Sequence, residues 1–119
     1  MPGIESFKQL DVWQRAMDLA TTVYQLTLAF PKSEQFGLTA QMRRASVSIA
    51  SNIAEGHRRT RPVYINHLQI ALGSLAELET QLILATRLRY CCDEESRPLG
   101  QDIELTGKML HALLRSLRE

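Results

Sequence analysis

Cysteine, proline and glycine are all scarce in this chain of 119 residues, and each scarcity removes a class of protein. The two cysteines, Cys91 and Cys92, are adjacent, so they cannot staple distant parts of a fold. A reduced pair in a cytoplasmic protein is the expectation. Four prolines and six glycines form no tract, which excludes linkers and low-complexity segments. No apolar run approaches the ~20 residues of a membrane span. The opening MPGIESFKQL lacks the charged start and apolar core of a signal peptide.

Ligand sets for metals are missing as well. A di-iron bundle needs inward carboxylates and Glu-x-x-His pairs, and no glutamate here is followed by histidine three residues on. Cys91-Cys92 lacks zinc spacing, and His67 and His111 stand alone on ordinary helical stretches. No cofactor, metal or catalytic residue is therefore expected, and the chain reads as a non-enzyme. Residues 1–119 suit a single domain, long enough to bury roughly two-thirds of its unfolded surface without disulfide or metal.

Helical periodicity is abundant. Val12, Ala16, Leu19, Val23, Leu26 and Phe30 recur by four and three, predicting a first helix that stops at the Phe30–Pro31 step. A second helix, capped by Ser33 or Thr39, should run to about Glu55, with Gly56 ending it. Its seam carries Leu38, Met42, Ala45, Ile49, Asn52 and Gly56. Pro62 suits the first turn of a third helix, which Leu68, Leu72, Leu75, Leu78, Leu82 and Ala85 carry to about Tyr90. Residues 91–98 read as a loop, with Ser96 a cap and Pro98 early in a fourth helix. The apolar face of that helix is Leu99, Ile103, Leu110, Leu114 and Leu117. No stretch alternates like a strand. The expected architecture is all-α, an antiparallel up-down-up-down four-helix bundle. Gly73 and Gly107 interrupt two helices, which close helix approach would explain.

Charge is distributed unevenly although it sums to only +1. Residues 31–61 carry six bases and two acids, while the remainder is acidic overall. His57, Arg58, Arg59 and Arg61 crowd one helix end and the loop after it. Such a group is either a solvated basic turn that complements the helix dipole or a contact for phosphate. No aromatic ladder accompanies it in the sequence, so contact through backbone and shape is expected rather than base stacking. Arg43 and Arg44 lie mid-helix beside Met42 and Ala45, and Glu77 and Glu79 on the third helix are the expected ion-pair partners. Asn52, in the seam, and Glu55, on its flank, read as structural groups that set register. The first helix also carries a second apolar row, Trp13, Met17, Ala20, Tyr24 and Leu28. That row either borders the core or meets another copy of the chain; self-association is the preferred reading.

Several of these segments carry a resemblance. Phe7-Lys8-Gln9-Leu10-Asp11-Val12-Trp13-Gln14, Phe30-Pro31, Phe36-Gly37-Leu38, Gln41-Met42-Arg43-Arg44-Ala45 and Ser48-Ile49-Ala50-Ser51-Asn52-Ile53-Ala54-Glu55-Gly56 resemble the bacterial four-helix-bundle family that includes the 23S rRNA intervening-sequence proteins. They span about the first half of the chain; the second half matches in helical pattern only. The resemblance implies a homo-oligomer, a pentamer forming a short barrel. It extends to the accessory proteins of diversity-generating retroelements, which work beside a reverse transcriptase and bind nucleic acid on a basic surface. No enzymatic reaction comes with the family. The expected function is a cytoplasmic, oligomeric protein that binds RNA or DNA through Arg58, Arg59, Arg61 and His57, without a membrane. The alternative is a protein-interaction scaffold, for example beside a reverse transcriptase, whose arginines meet acidic residues.

Overall fold

The computed structural model describes residues 6–119, so the expectation drawn from the first five residues lies outside the described residues. Four helices account for nearly everything: α1 (Asp11–Thr27), α2 (Leu38–His57), α3 (Arg61–Arg87) and α4 (Asp93–Arg118). A short 3-10 turn, Phe7–Gln9, precedes α1, and another, Lys32–Glu34, lies between α1 and α2. No strand occurs among the described residues. The body measures 49 × 24 × 20 Å, elongated along the helices. Each helix packs on two others, α1 on α2 and α4, and α3 on α2 and α4. No helix is long and apolar enough to cross a membrane among the described residues.

The apolar seams read from the sequence form the core. Ala16, Leu19 and Val23 from α1 meet Met42, Ile49 and Ile53 from α2, Leu68 and Leu78 from α3, and Leu99 and Leu110 from α4, all essentially fully buried. Burying a side chain of this size contributes roughly 1.5–3 kcal/mol each, enough for packing to override weak local propensity.

The helix ends depart from expectation in several places. α1 stops at Thr27 rather than Phe30, because Phe30 leaves the helix to pack its ring 5.5 Å from that of Tyr90. α4 begins at Asp93 instead of near Ser96. The backbone N–H of Cys92 donates to Glu95 Oε1 at 3.0 Å, which closes a cap and leaves Ser96 and Pro98 inside the helix. Gly56 does not end α2, which continues to His57, and no glycine has positive φ among the described residues. Its lack of a side chain serves packing. A Cβ there would lie 2.7 Å from His67 Cβ and 2.9 Å from Tyr64 Cδ1.

Neither Ser33 nor Thr39 caps α2. Glu34 does so from the preceding turn: its Oε1 accepts the Leu38 N–H at 3.0 Å, and its Oε2 accepts the Tyr90 hydroxyl at 2.8 Å. The Leu38 N–H and then the Tyr90 hydroxyl hold the Glu34 carboxyl below its ordinary range. The carboxylate occupies the space where a Gly37 Cβ would stand, 2.6 Å away. Tyr64 is buried with a hydroxyl that has no hydrogen-bond partner among the described residues, and burial pushes its pKa up to about 12. Gly107 is packed closely, 3.3 Å from Leu75 Cδ2 for a built Cβ; Gly73 has open space around it, so close approach within the chain explains only the first.

Candidate nucleic-acid interface

Gly56 brings the first turn of α3 tightly against the last turn of α2, leaving only Arg58, Arg59 and Thr60 to reverse the chain. The Arg59 N–H donates to Gly56 O at 3.0 Å, and the Tyr64 N–H to Thr60 O at 2.8 Å, so the turn is hydrogen-bonded on both sides. His57 stands edge-on to Tyr64, 5.7 Å between centroids. Arg58, Arg59 and Arg61 are all exposed, and none forms an ion pair among the described residues. Arg58 and Arg59 follow the negative end of the α2 dipole and are favourable there. Arg61 is the opposite case. It is the first residue of α3, a helix with no acid in its first turn, where a cation opposes the dipole. An arrangement that local electrostatics disfavours is what a site for an outside anion looks like.

Phe7 completes this surface, although it lies far from the arginines along the chain. The short turn Phe7–Gln9 is held by Ser6, whose hydroxyl accepts the Lys8 N–H at 3.2 Å. It sets the Phe7 ring under the Arg58 guanidinium, 5.2 Å from Cζ to ring centroid. Trp13 lies 5.2 Å from Phe7, edge to face, and packs partly buried against the core. No aromatic ladder accompanies the arginines along the chain, but folding brings one ring, Phe7, against Arg58.

Arg43 and Arg44 behave differently from expectation and from each other. Arg43 reaches α1, not α3. Its Nε donates to Thr27 Oγ1 at 2.9 Å, one terminal nitrogen to Tyr24 O at 3.4 Å, and its Cζ lies 4.6 Å from the Tyr24 ring centroid. It thereby satisfies acceptors at the end of α1, where a cation also matches the helix dipole. Arg44 shares a groove of about 180 Å³ with Gln41, Ser48, Ser74 and Glu77, yet forms no ion pair with Glu77. Glu79 lies on the other side of α3, in grooves shared with α4. The predicted pairing of Arg43 and Arg44 with Glu77 and Glu79 is thus absent.

Asn52 belongs to a polar chain between α2 and α3. Its Nδ2 donates to Ser48 O at 2.8 Å, its Oδ1 faces His67 Nδ1 at 2.9 Å, and Ser74 Oγ donates to Ser48 Oγ at 2.9 Å. Glu55 Oε2 stands 4.0 Å from His67 Nδ1 and is mostly exposed. A histidine oriented by an amide suits general-base work only beside a nucleophile, and among the described residues no hydrogen bond brings His67 one. The members reasoning from sequence missed, Ser48, Ser74 and His67, are ordinary at helical spacing and become partners only through packing. Among the described residues no group of three or more His, Cys, Asp or Glu is placed to hold a metal.

The second apolar row of α1 is split. Ala20 is buried, while Met17 (43%), Tyr24 (44%) and Leu28 (78%) are exposed, as is Phe36 (89%) on the connection to α2.

Comparison with known proteins agrees with the geometry at the level of family. The sequence profile of the 23S rRNA-intervening sequence proteins matches residues 8–112. No curated protein matches the chain. Among solved structures, a protein with unknown function from the S23 ribosomal protein family of Bacteroides thetaiotaomicron superposes with a TM-score of 0.78 at 26% identity. The match covers 87% of this chain and 97% of the other. Neither name is that of an enzyme.

Proposed function

The chain belongs to the 23S rRNA-intervening sequence protein family, and we propose that it is a non-enzymatic, oligomeric, cytoplasmic protein that binds RNA or DNA at its α2–α3 turn. The observation that carries this reading is the set of three exposed arginines, Arg58, Arg59 and Arg61, on one short turn, without an ion-pair partner among the described residues. His57 adds a fourth basic group beside them. Guanidinium groups suit phosphate through their forked donors.

The helices run up-down-up-down in this reading. Arg43 near the start of α2 meets Thr27 at the end of α1, and Ser48 and Asn52 meet Ser74 and His67 in reversed order. The later part of α3, Leu82 to Arg87, likewise shares a groove with Ser96 and Gly100, and the earlier Leu72 to Ala76 one with Ile103 to His111, also reversed. Bundles then join through Met17, Tyr24, Leu28 and Phe36 as a homopentameric ring. Repeating one weak phosphate site around a ring raises the effective affinity for a long strand. Native mass spectrometry tests the ring, with five copies the expected mass.

A second reading keeps the arginines and changes the partner: an accessory scaffold that meets acidic residues of another protein, such as a reverse transcriptase. The strongly exposed Phe36 favours a protein contact at the other end of α2. One experiment separates the readings. Retention of a mixed RNA pool is measured at low salt for the original chain and for Arg58→Glu with Arg59→Glu. Loss on charge reversal supports nucleic-acid binding; retention unchanged by it, or none in the original chain, leaves the scaffold.

A further inference from the structure

The aromatic group beneath the arginines bears on which form of nucleic acid this turn takes. Phe7, Trp13 and Arg58 form a stack of contacts that begins in the core and ends in solvent. Trp13 is packed against the core, Phe7 is half-buried on Trp13, and Arg58 is exposed above Phe7. The turn carrying Phe7 is itself fixed. Its cap at Ser6 is joined by Gln14 Nε2, which donates to Lys8 O at 3.0 Å and ties the turn to α1. A guanidinium held over an aromatic ring has lost much of the freedom that a surface arginine gives up on binding. It remains a planar group able to stack a second ring.

We infer that the Arg58–Phe7 pair is a stacking seat for an unpaired base, with Arg59 and Arg61 on the adjoining phosphates, so that the ligand of this turn is single-stranded nucleic acid. The inference rests on the phosphate reading given above and narrows it. Arginine planes and aromatic rings stack on bases that are free of a partner, whereas a duplex turns its base faces inward and offers only groove edges and phosphates. The seat is sequence-tolerant, since every base has a face to offer. Charge alone predicts the reverse preference, because a duplex has the higher charge density along its axis. Preference for single strands is therefore a signature of stacking.

The test compares a mixed-sequence single-stranded RNA of about 12 nucleotides with the duplex of the same sequence, each titrated into the full chain at low salt. Trp13 is the only tryptophan, and its contact with Phe7 makes its emission a report on the seat. The single strand should bind about tenfold or more tighter than the duplex and should change Trp13 emission. Arg58→Lys keeps the charge and removes the plane; it should lose roughly tenfold on the single strand and little on the duplex. It leaves the core untouched. Phe7→Leu should act likewise, with circular dichroism confirming that its helices persist. Equal or tighter binding of the duplex, with single-strand affinity unchanged in Arg58→Lys, overturns the stacking seat while leaving phosphate binding standing. No binding of either form overturns the phosphate reading, and this inference with it.

Discussion

His67 Nδ1 lies 2.9 Å from Asn52 Oδ1, a hydrogen bond that ties α3 to α2 in the half-buried strip between them. The amide orientation follows from its other contact: Asn52 Nδ2 donates to Ser48 O at 2.8 Å, so Oδ1 is the acceptor and His67 Nδ1 carries the proton. Asn52→Ala leaves that N–H without its partner and should lower stability by about 1–2 kcal/mol. Urea unfolding checks this, with a lower midpoint and an unchanged slope. A double-mutant cycle with His67→Ala should show that the two losses are not additive.

Two glycines should respond in opposite directions to the same change. Gly56→Ala places a Cβ 2.7 Å from His67 Cβ and should cost about 1–3 kcal/mol, despite alanine's better helix propensity. Gly73→Ala meets nothing within 4 Å and should gain about 1 kcal/mol. Thermal unfolding of the two variants side by side is the measurement. A loss at Gly73 would mean that another copy or partner covers it.

Arg89 has φ 63°, left-handed and unfavourable for a residue with a side chain. It closes α3: the Tyr90 N–H donates to Ala85 O at 2.9 Å and the Arg89 N–H to Thr86 O at 3.0 Å. Arg89→Gly should therefore raise stability by about 0.5–1 kcal/mol, once glycine's own entropic disadvantage is subtracted. The shift in urea midpoint measures it.

Glu34 should make folding sensitive to acid. Its folded pKa is lowered from 4.5 by the Leu38 N–H and the Tyr90 hydroxyl, so the unfolded chain takes up the proton first as pH falls. The stabilisation is complete above 4.5 and disappears as pH drops through the lowered folded value. Glu95, lowered in the same sense by the Cys92 N–H, adds to the same limb. Urea midpoints from neutrality to about pH 3 should fall less steeply in Glu34→Gln than in the original chain.

The four helices were legible because their apolar rows repeat at helical spacing, and those rows are the core. Their ends were less so. Phe30 satisfies the rule that helices stop before proline, yet its ring is drawn to Tyr90 and the helix ends earlier, at Thr27. Gly56 looked like a stop and is a packing surface, since the same missing Cβ serves either purpose. The basic turn was visible as a cluster of letters. Its aromatic floor was not, because Phe7 and Arg58 are distant in sequence and meet only when α1 and α2 pack. Arg43 shows the same limit: charge suggested an acid on α3, but the Thr27 hydroxyl and the Tyr24 carbonyl at the end of α1 take the guanidinium instead.

The most direct test of the account is the salt dependence of single-stranded RNA binding, compared between the original chain and Arg59→Ala with Arg61→Ala. Affinity should fall linearly with the logarithm of salt, and removing two phosphate contacts should flatten the slope by about 1.4, or ~0.7 for each. An unchanged slope, or no binding near ~50 mM salt where such contacts are strongest, would contradict the claim that this turn holds phosphate.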